Sequence, residues 1–189
     1  MRLALATAAL APLLLWQGRR VRRVTPRLPE AEGPREGVTG HGPLLRLLVL
    51  GDSAAAGVGV AHQDQALTGR LLAELAPQHM LHWRLLAHTG DDLAQTAQRL
   101  PALGGERFDV AVLSIGVNDV TGRTPPVRWV RGYADLLANL RHDHGVRLSV
   151  LTPVPPMHLF PALPQPLRLP RPRRRPIPPV LRGTSTFRA

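Results

Sequence analysis

Short apolar runs that alternate with helical patterns are the feature that most constrains the fold of this chain. Four of these runs are too short for helices and are predicted strands: residues 45–50, 83–87, 108–115 and 146–151. Apolar residues at helical spacing follow the first three runs and predict helices over residues 67–75, 93–100 and 124–140. Strands that alternate with helices through short connections predict a parallel sheet with helices on both faces.

The positive charge of the chain lies at its two ends. The formal net charge is +11, from 24 Arg and 13 Asp or Glu, and the chain contains no lysine. Residues 28–167 hold 11 of the arginines and all 13 acids, whereas residues 1–27 and 168–189 hold six and seven arginines and no acid. A basic groove on the fold is therefore not expected, and neither is recognition of a specific nucleic acid.

Composition divides the chain into four segments. Residues 1–27 are an apolar run followed by arginines, which fits either a membrane anchor or a plain N-terminal helix, so membrane-associated, cytoplasmic and exported locations all stay open. Residues 28–43 are rich in Pro and Gly and predict a linker. Residues 44–168 are the predicted folded domain. Residues 169–189 are dominated by Arg and Pro and predict a disordered or extended tail.

Three short stretches follow predicted strands, at the sheet edge where functional groups gather in such folds. They are Gly51-Asp52-Ser53, His88-Thr89-Gly90 and Gly116-Val117-Asn118-Asp119. Each alone has the composition of an ordinary turn. Together they bring the Ser53 hydroxyl, the unshielded N–H of Gly90 and the Asn118 amide to one edge. A hydroxyl beside several donors suits acyl transfer, because the attacked carbonyl oxygen becomes an anion.

At these residues the chain resembles the SGNH (GDSL-type) esterases and lipases. "GDS" with Ser53 matches the first block of that family, Gly90 the second, and "GVND" with Asn118 the third. The resemblance implies a three-layer α/β/α hydrolase of the flavodoxin-like type that cleaves small acyl esters or lipids without a cofactor or metal. It implies that Ser53 is the nucleophile and that the Ser53 N–H, the Gly90 N–H and the Asn118 amide form an oxyanion hole. The remaining residues of these blocks would support the site: Gly51, Asp52, Gly116 and Asp119.

The fourth block of the family, an Asp-x-x-His pair that activates the serine, is absent. No Asp in the chain is followed by His three residues later. A serine without its base is a poor nucleophile, so we expect impaired activity. His158 and His88 are the candidate stand-in bases. The change of composition near Arg168 also predicts that the last strand and helix of the fold are missing, as in a truncated or frame-shifted gene.

The sequence lacks the residues that other classes of functional site require. A dinucleotide-binding pattern that starts at Gly57 would need a glycine where His62 stands, and a phosphate-binding P-loop would need a lysine. No histidine pair has metal-ligand spacing on a recognisable helix. The remaining alternative is a non-catalytic member of the same fold. It would bind an acyl ligand, or its basic ends would hold it at an anionic membrane surface.

Overall fold

The computed structural model describes residues 28–155 of the chain, in which five strands form one mixed sheet. The strands are β1 (Glu36–Thr39), β2 (Leu44–Gly51), β3 (Met80–Ala87), β4 (Val110–Ser114) and β5 (Leu148–Leu151). Their order across the sheet is β1-β3-β2-β4-β5. β2, β3, β4 and β5 are parallel to one another, whereas β1 pairs with β3 in the antiparallel direction.

Within residues 28–155, four α-helices connect and cover the strands. They are α1 (Leu67–Leu75), α2 (Leu93–Gln98), α3 (Val117–Gly122) and α4 (Pro126–His142), and short 3₁₀ turns precede α1 and follow α2. Asp92 begins α2 with a reciprocal capping box: its side chain accepts from the Gln95 N–H, while the Gln95 side chain accepts from the Asp92 N–H. The helices predicted at 67–75, 93–100 and 124–140 are thus confirmed, with small shifts of their ends.

The four parallel strands confirm the predicted α/β class. Numbered along the chain, they follow the spatial order 2-1-3-4, which is the order of a flavodoxin-like sheet. Side chains alternate between its faces, as the pleat requires. Leu48, Leu50 and Leu113 pack with α2 and α4 on one face. Leu47 and Val49 pack with α1 on the other.

Strand β1 lies inside the segment predicted as a linker, so residues 36–39 of that segment belong to the sheet. Gly37 pairs with Trp83, and a Cβ at Gly37 would lie only 3.3 Å from the indole nitrogen. The glycine therefore leaves room for the Trp83 ring. Composition concealed this strand because it has only four residues between prolines and glycines, and Val38 is 61% exposed.

Several predictions concern residues outside the described part of the chain. These are the N-terminal segment 1–27, the end of the predicted domain from residue 156 with His158, and the tail 169–189. The predicted absence of a last strand and helix also falls there. Within residues 28–155, β5 pairs only with β4.

No helix in residues 28–155 has the length and apolar character needed to cross a lipid bilayer.

Candidate active site

The register of the sheet brings the three predicted loops to one edge. Gly51 at the end of β2 pairs with Ala87 of β3 and with Ser114 of β4. Past these pairs, the His88 N–H donates to the Gly51 carbonyl over 3.2 Å, and the Asp52 N–H donates to the Ser114 carbonyl over 3.1 Å. The stretches after β2, β3 and β4 are here called loops 1, 2 and 3 (residues 52–60, 88–93 and 115–119, including the first residues of α2 and α3). They therefore leave the sheet side by side.

Ser53 lies half-buried in loop 1, in a compact turn. The first helix begins only at residue 67, so a turn and not a helix follows Ser53 directly. The Ala56 N–H donates to the Asp52 carbonyl over 2.9 Å, as in one helical turn. Gly57 and Gly59 then take positive φ values of 79° and 103°, which end the helical path.

Asp52 connects loop 1 to loop 3 from a buried position, with 2% of its surface exposed. Its Oδ1 accepts from the Ala54 N–H over 3.0 Å, whereas its buried Oδ2 has no hydrogen-bond partner among the described residues. Burial raises the pKa of the Asp52 carboxyl, and the charge of Asp119 raises it further. The N–H groups of Ala54, Gly116 and Val117 oppose this rise in pKa. Asp52 therefore packs against the backbone that begins loop 3.

Asn118 and Asp119 lie at the start of α3 and hold loop 3 against loop 2. The Asn118 Nδ2 donates to the Asp91 carbonyl over 2.8 Å, and the Leu93 N–H donates to Oδ2 of the buried Asp119 over 3.0 Å. An amide nitrogen carries two hydrogens, so one N–H of Asn118 is left after this bond. No second acceptor for it is found within residues 28–155.

At two positions of the predicted site, only glycine avoids a close contact with neighbouring atoms. Gly116, directly before α3, has φ of 137°, and a Cβ there would lie 2.6 Å from the Val154 Cγ2. At the end of β2, a Cβ on Gly51 would lie 2.4 Å from the Ala55 Cβ and 2.5 Å from the Ser114 carbonyl oxygen. Both glycines therefore let backbone segments approach closely at the rim of the sheet.

Gly90 in loop 2 faces open space. Its φ is 94°, it is exposed, and a Cβ built on it would find no atom within 4 Å. Within residues 28–155, neither its N–H nor that of Ser53 donates a hydrogen bond. Two backbone donors and one amide hydrogen thus have no acceptor on the loops at this edge.

Loop 2 also rests on residues that the sequence analysis did not single out. The Thr89 N–H donates to Glu30 Oε1 over 2.7 Å. Glu30 pairs with Arg35 at 2.5 Å, and Arg35 donates to the Ala87 carbonyl over 2.7 Å. Burial alone would raise the pKa of Glu30, but the hydrogen bonds from Thr89 and the charges of Arg35 and His88 lower it. No sequence pattern indicated this contact, since 59 residues separate Glu30 from Thr89.

The floor beneath the loops holds further buried polar groups. Asp91 is buried and forms an ion pair with Arg99 through two hydrogen bonds. The Tyr133 hydroxyl donates to the Ile115 carbonyl over 3.0 Å. Burial raises the pKa of Tyr133, and the charges of Asp119 and Asp52 raise it further. Tyr133 is therefore a neutral donor that holds the end of β4.

A cavity of about 600 Å³ lies between α2 and α4, next to loop 3. Its walls include Leu93, Ala97, Trp129 and Leu136, and Asp119 reaches it from loop 3. The cavity is large enough for a small ligand. Within the described residues, no group of three or more His, Cys, Asp or Glu side chains could hold a metal ion.

Solved structures of other proteins resemble the fold of this chain. TesA is 26% identical with a TM-score of 0.53, over 62% of this chain and 66% of TesA. The D162A mutant of esterase AlinE4 is 21% identical with a TM-score of 0.50, over 63% of this chain and 64% of that one. A lipase/acylhydrolase from Enterococcus faecalis is 19% identical with a TM-score of 0.46, over 66% of this chain and 65% of that one. The chain thus spans slightly less than two thirds of each of these proteins.

None of the curated proteins matches this chain at a significant level. A protein family matches more of the chain than the solved structures do. The family described as GDSL-like Lipase/Acylhydrolase matches residues 49–187, which extends beyond the domain boundary at residue 168 that composition suggested. The match contains all three loops and more than half of the sequence. This chain belongs to the GDSL-like lipase/acylhydrolase family.

Proposed function

We propose that this chain is a serine ester hydrolase in which Ser53 is the nucleophile. The observation that carries the proposal is the set of free donors at the sheet edge where loop 1 carries Ser53. The N–H groups of Ser53 and Gly90 donate no hydrogen bond among the described residues, and Asn118 has one amide hydrogen left. Donors of this kind stabilise the anion that forms when a carbonyl carbon is attacked.

The proposed reaction has two steps. The Ser53 oxygen bonds to the ester carbonyl carbon, the hydroxyl proton passes to a base, and the alcohol leaves with a proton. Water then attacks the acyl-serine, and the carboxylic acid and the free hydroxyl are formed. In both steps the carbonyl oxygen becomes negative, and the N–H groups of Gly90, Asn118 and Ser53 would donate hydrogen bonds to it.

The histidine that usually activates the serine in this family is missing from the site. The sequence contains no Asp-x-x-His pair. His88 in loop 2 is half-buried at the same edge. It lies close enough to Glu30 that the charge of His88 lowers the pKa of the Glu30 carboxyl. We propose His88 as the stand-in base within the described residues, and His158 beyond them. Loss of the usual histidine lowers turnover by on the order of 10⁶ in a serine protease, so we expect slow hydrolysis.

The substrate would be a small acyl ester or a lipid. The cavity beside loop 3 has apolar walls from Leu93, Ala97 and Leu136, which suit an acyl chain. Its volume of about 600 Å³ lies within the range of small-molecule sites.

Hydrolysis of p-nitrophenyl butyrate by the full chain tests the proposal. We expect a slow rate that disappears in Ser53→Ala and persists in Ser149→Ala, a matched serine on β5. A fluorophosphonate should label the wild type and Ser149→Ala but not Ser53→Ala. Equal rates in the wild type and Ser53→Ala, together with no labelling, would rule out Ser53 as the nucleophile.

The absence of the Asp-x-x-His pair favours a second function, non-catalytic binding of an acyl ligand in the same cavity. A non-hydrolysable ketone analogue of the butyrate ester would then bind the wild type and Ser53→Ala equally. Leu93→Trp would fill the cavity and block that binding. Binding without labelling would identify this second function.

A further inference from the structure

The segment that joins α3 to α4 is exposed and follows loop 3 directly. It comprises residues 120–131, here called the α3–α4 segment, and all of its residues except Thr124 and Trp129 are exposed. Its three valines face solvent: Val127 is 82% exposed, Val130 53% and Val120 41%. Single exposed valines are common, but three within one short segment indicate a surface that contacts a partner.

Hydrogen bonds fix the shape of this segment. Arg123 ends α3 with φ of 63°, and within residues 28–155 it is the only residue other than glycine with a positive φ. The left-handed region is unfavourable for a residue with a side chain, and two bonds hold the chain there. The Arg123 N–H donates to the Val120 carbonyl over 3.3 Å, and the Thr124 N–H donates to the Asp119 carbonyl over 2.9 Å. Helix α4 then begins at Pro126, so the exposed valines lie on a defined turn.

The charge of the α3–α4 segment is positive. Arg123, Arg128 and Arg131 belong to it, and it contains no Asp or Glu. None of these arginines forms an ion pair with an acid of residues 28–155. Asp119, directly before the segment, is only 4% exposed, and Asp135 lies one helical turn after its end. The exposed valines are therefore flanked by three arginines that no described carboxylate pairs.

From these features we propose that the α3–α4 segment docks the protein on an anionic lipid surface. Such a surface carries phosphate anions above a hydrocarbon layer, so it can accept arginines and exposed apolar side chains at the same time. Val127 and Val130 enter the outer hydrocarbon, while the long arginine side chains reach back to the phosphates. A nucleic acid would contact the arginines alone and leave the valines in water.

The docked segment also borders the cavity beside loop 3. Arg123, Pro125, Arg128 and Trp129 all form part of the wall of that cavity. An acyl chain that leaves the lipid surface would therefore meet the cavity directly. This role in delivering substrate rests on the proposed function, whereas docking does not, because docking is measured as binding. Ser53→Ala should accordingly dock as the wild type does, so a failure of the hydrolysis proposal would leave docking intact.

A fluorophore on one introduced cysteine tests the proposal in the full chain, which contains no cysteine of its own. The label is placed at Val127→Cys, and at Glu74→Cys as a control on α1, which covers the opposite face of the sheet. The probe is a vesicle of phosphatidylcholine mixed with phosphatidylglycerol. We expect the emission at position 127 to shift to shorter wavelength and to be quenched by lipids spin-labelled in the acyl chain. The label at position 74 should not respond.

Three results would overturn the proposal. The first is an unshifted emission at position 127 on the anionic vesicles; if the protein nevertheless sediments with them, the arginine-rich ends of the chain make the contact. The second is an equal response on vesicles of phosphatidylcholine alone, which would remove the role of the arginines. The third is an equal response to duplex DNA, which would assign the surface to a nucleic acid.

Substitutions at exposed positions measure the two contributions separately, by sedimentation with the anionic vesicles. Arg131→Gln should weaken binding about fivefold, whereas Arg70→Gln, the same charge change on α1, should leave it within about twofold. Val127→Ser should weaken binding about tenfold, and Val38→Ser, at a 61% exposed position of β1, should not. Binding that is unchanged in both Arg131→Gln and Val127→Ser would refute the proposal.

Discussion

The Asn118 side chain donates a hydrogen bond to the backbone carbonyl of Asp91 over 2.8 Å and so joins loop 3 to loop 2. The Leu93 N–H adds a second connection between these loops, to Asp119 over 3.0 Å. One hydrogen of the Asn118 amide is thereby fixed by a neighbouring loop. Its other hydrogen then has a set direction, which is the property that an oxyanion donor needs.

Asn118→Ala should therefore affect both stability and activity. It removes one hydrogen bond of the part-buried rim, so the free energy of unfolding in urea should fall by about 1 kcal/mol. The Ser53-dependent hydrolysis of p-nitrophenyl butyrate should fall by about 10²-fold or more. Thr121→Ala is the control, because the Thr121 hydroxyl bonds to the Asn118 carbonyl at an exposed position. A normal hydrolysis rate in Asn118→Ala would show that the amide is not an oxyanion donor.

Three glycine-to-alanine variants should lose stability in the order of the backbone strain and crowding at each glycine. Gly116→Ala combines φ of 137° with a contact of 2.6 Å to Val154, and should cost about 3 kcal/mol or more. Gly90→Ala has φ of 94° but free space, and should cost about 1–3 kcal/mol. Gly105→Ala has neither constraint and should be close to neutral. Urea unfolding of the three variants measures this order, and a Gly116→Ala chain as stable as Gly105→Ala would contradict it.

Asp52→Asn should change how stability depends on pH. Folding raises the pKa of Asp52, so the folded state holds this proton more tightly than the unfolded state. The contribution of Asp52 to stability is therefore full below the unfolded pKa of about 4 and is lost as the pH rises through the folded value. The unfolding free energy of Asp52→Asn minus that of the wild type should increase from pH 4 to pH 7. A constant difference over that interval would mean that the pKa of Asp52 is not raised.

Glu30→Gln should show the opposite trend. Hydrogen bonds from Thr89 and the charge of Arg35 lower the pKa of Glu30, against the effect of its burial. Its stabilising contribution is therefore present above the unfolded pKa of about 4.3 and is lost as the pH falls through the folded value. Glu30→Gln should be less stable than the wild type at pH 7 and equal to it near pH 2. Glu74→Gln, on the exposed face of α1, is the matched control and should leave the free energy of unfolding at pH 7 unchanged.

The sequence alone determined the four parallel strands of the sheet and the positions of the three loops. Buried strands such as residues 108–115 are continuous apolar runs, and the helices show their own spacing, so both can be recognised from neighbouring residues. The polar stretches that contain Ser53, Gly90 and Asn118 each follow such a run directly. In a parallel sheet the ends of these strands meet at one edge, which the pairing of Gly51 with Ala87 and Ser114 confirms.

Only the tertiary structure decided which residues distant in sequence support these loops and complete the sheet. Strand β1 forms because its four residues pair with β3, and Glu30 supports loop 2 across 59 residues of sequence. Such contacts leave no local pattern, because the partner of each residue is set by how the chain packs and not by its neighbours in sequence.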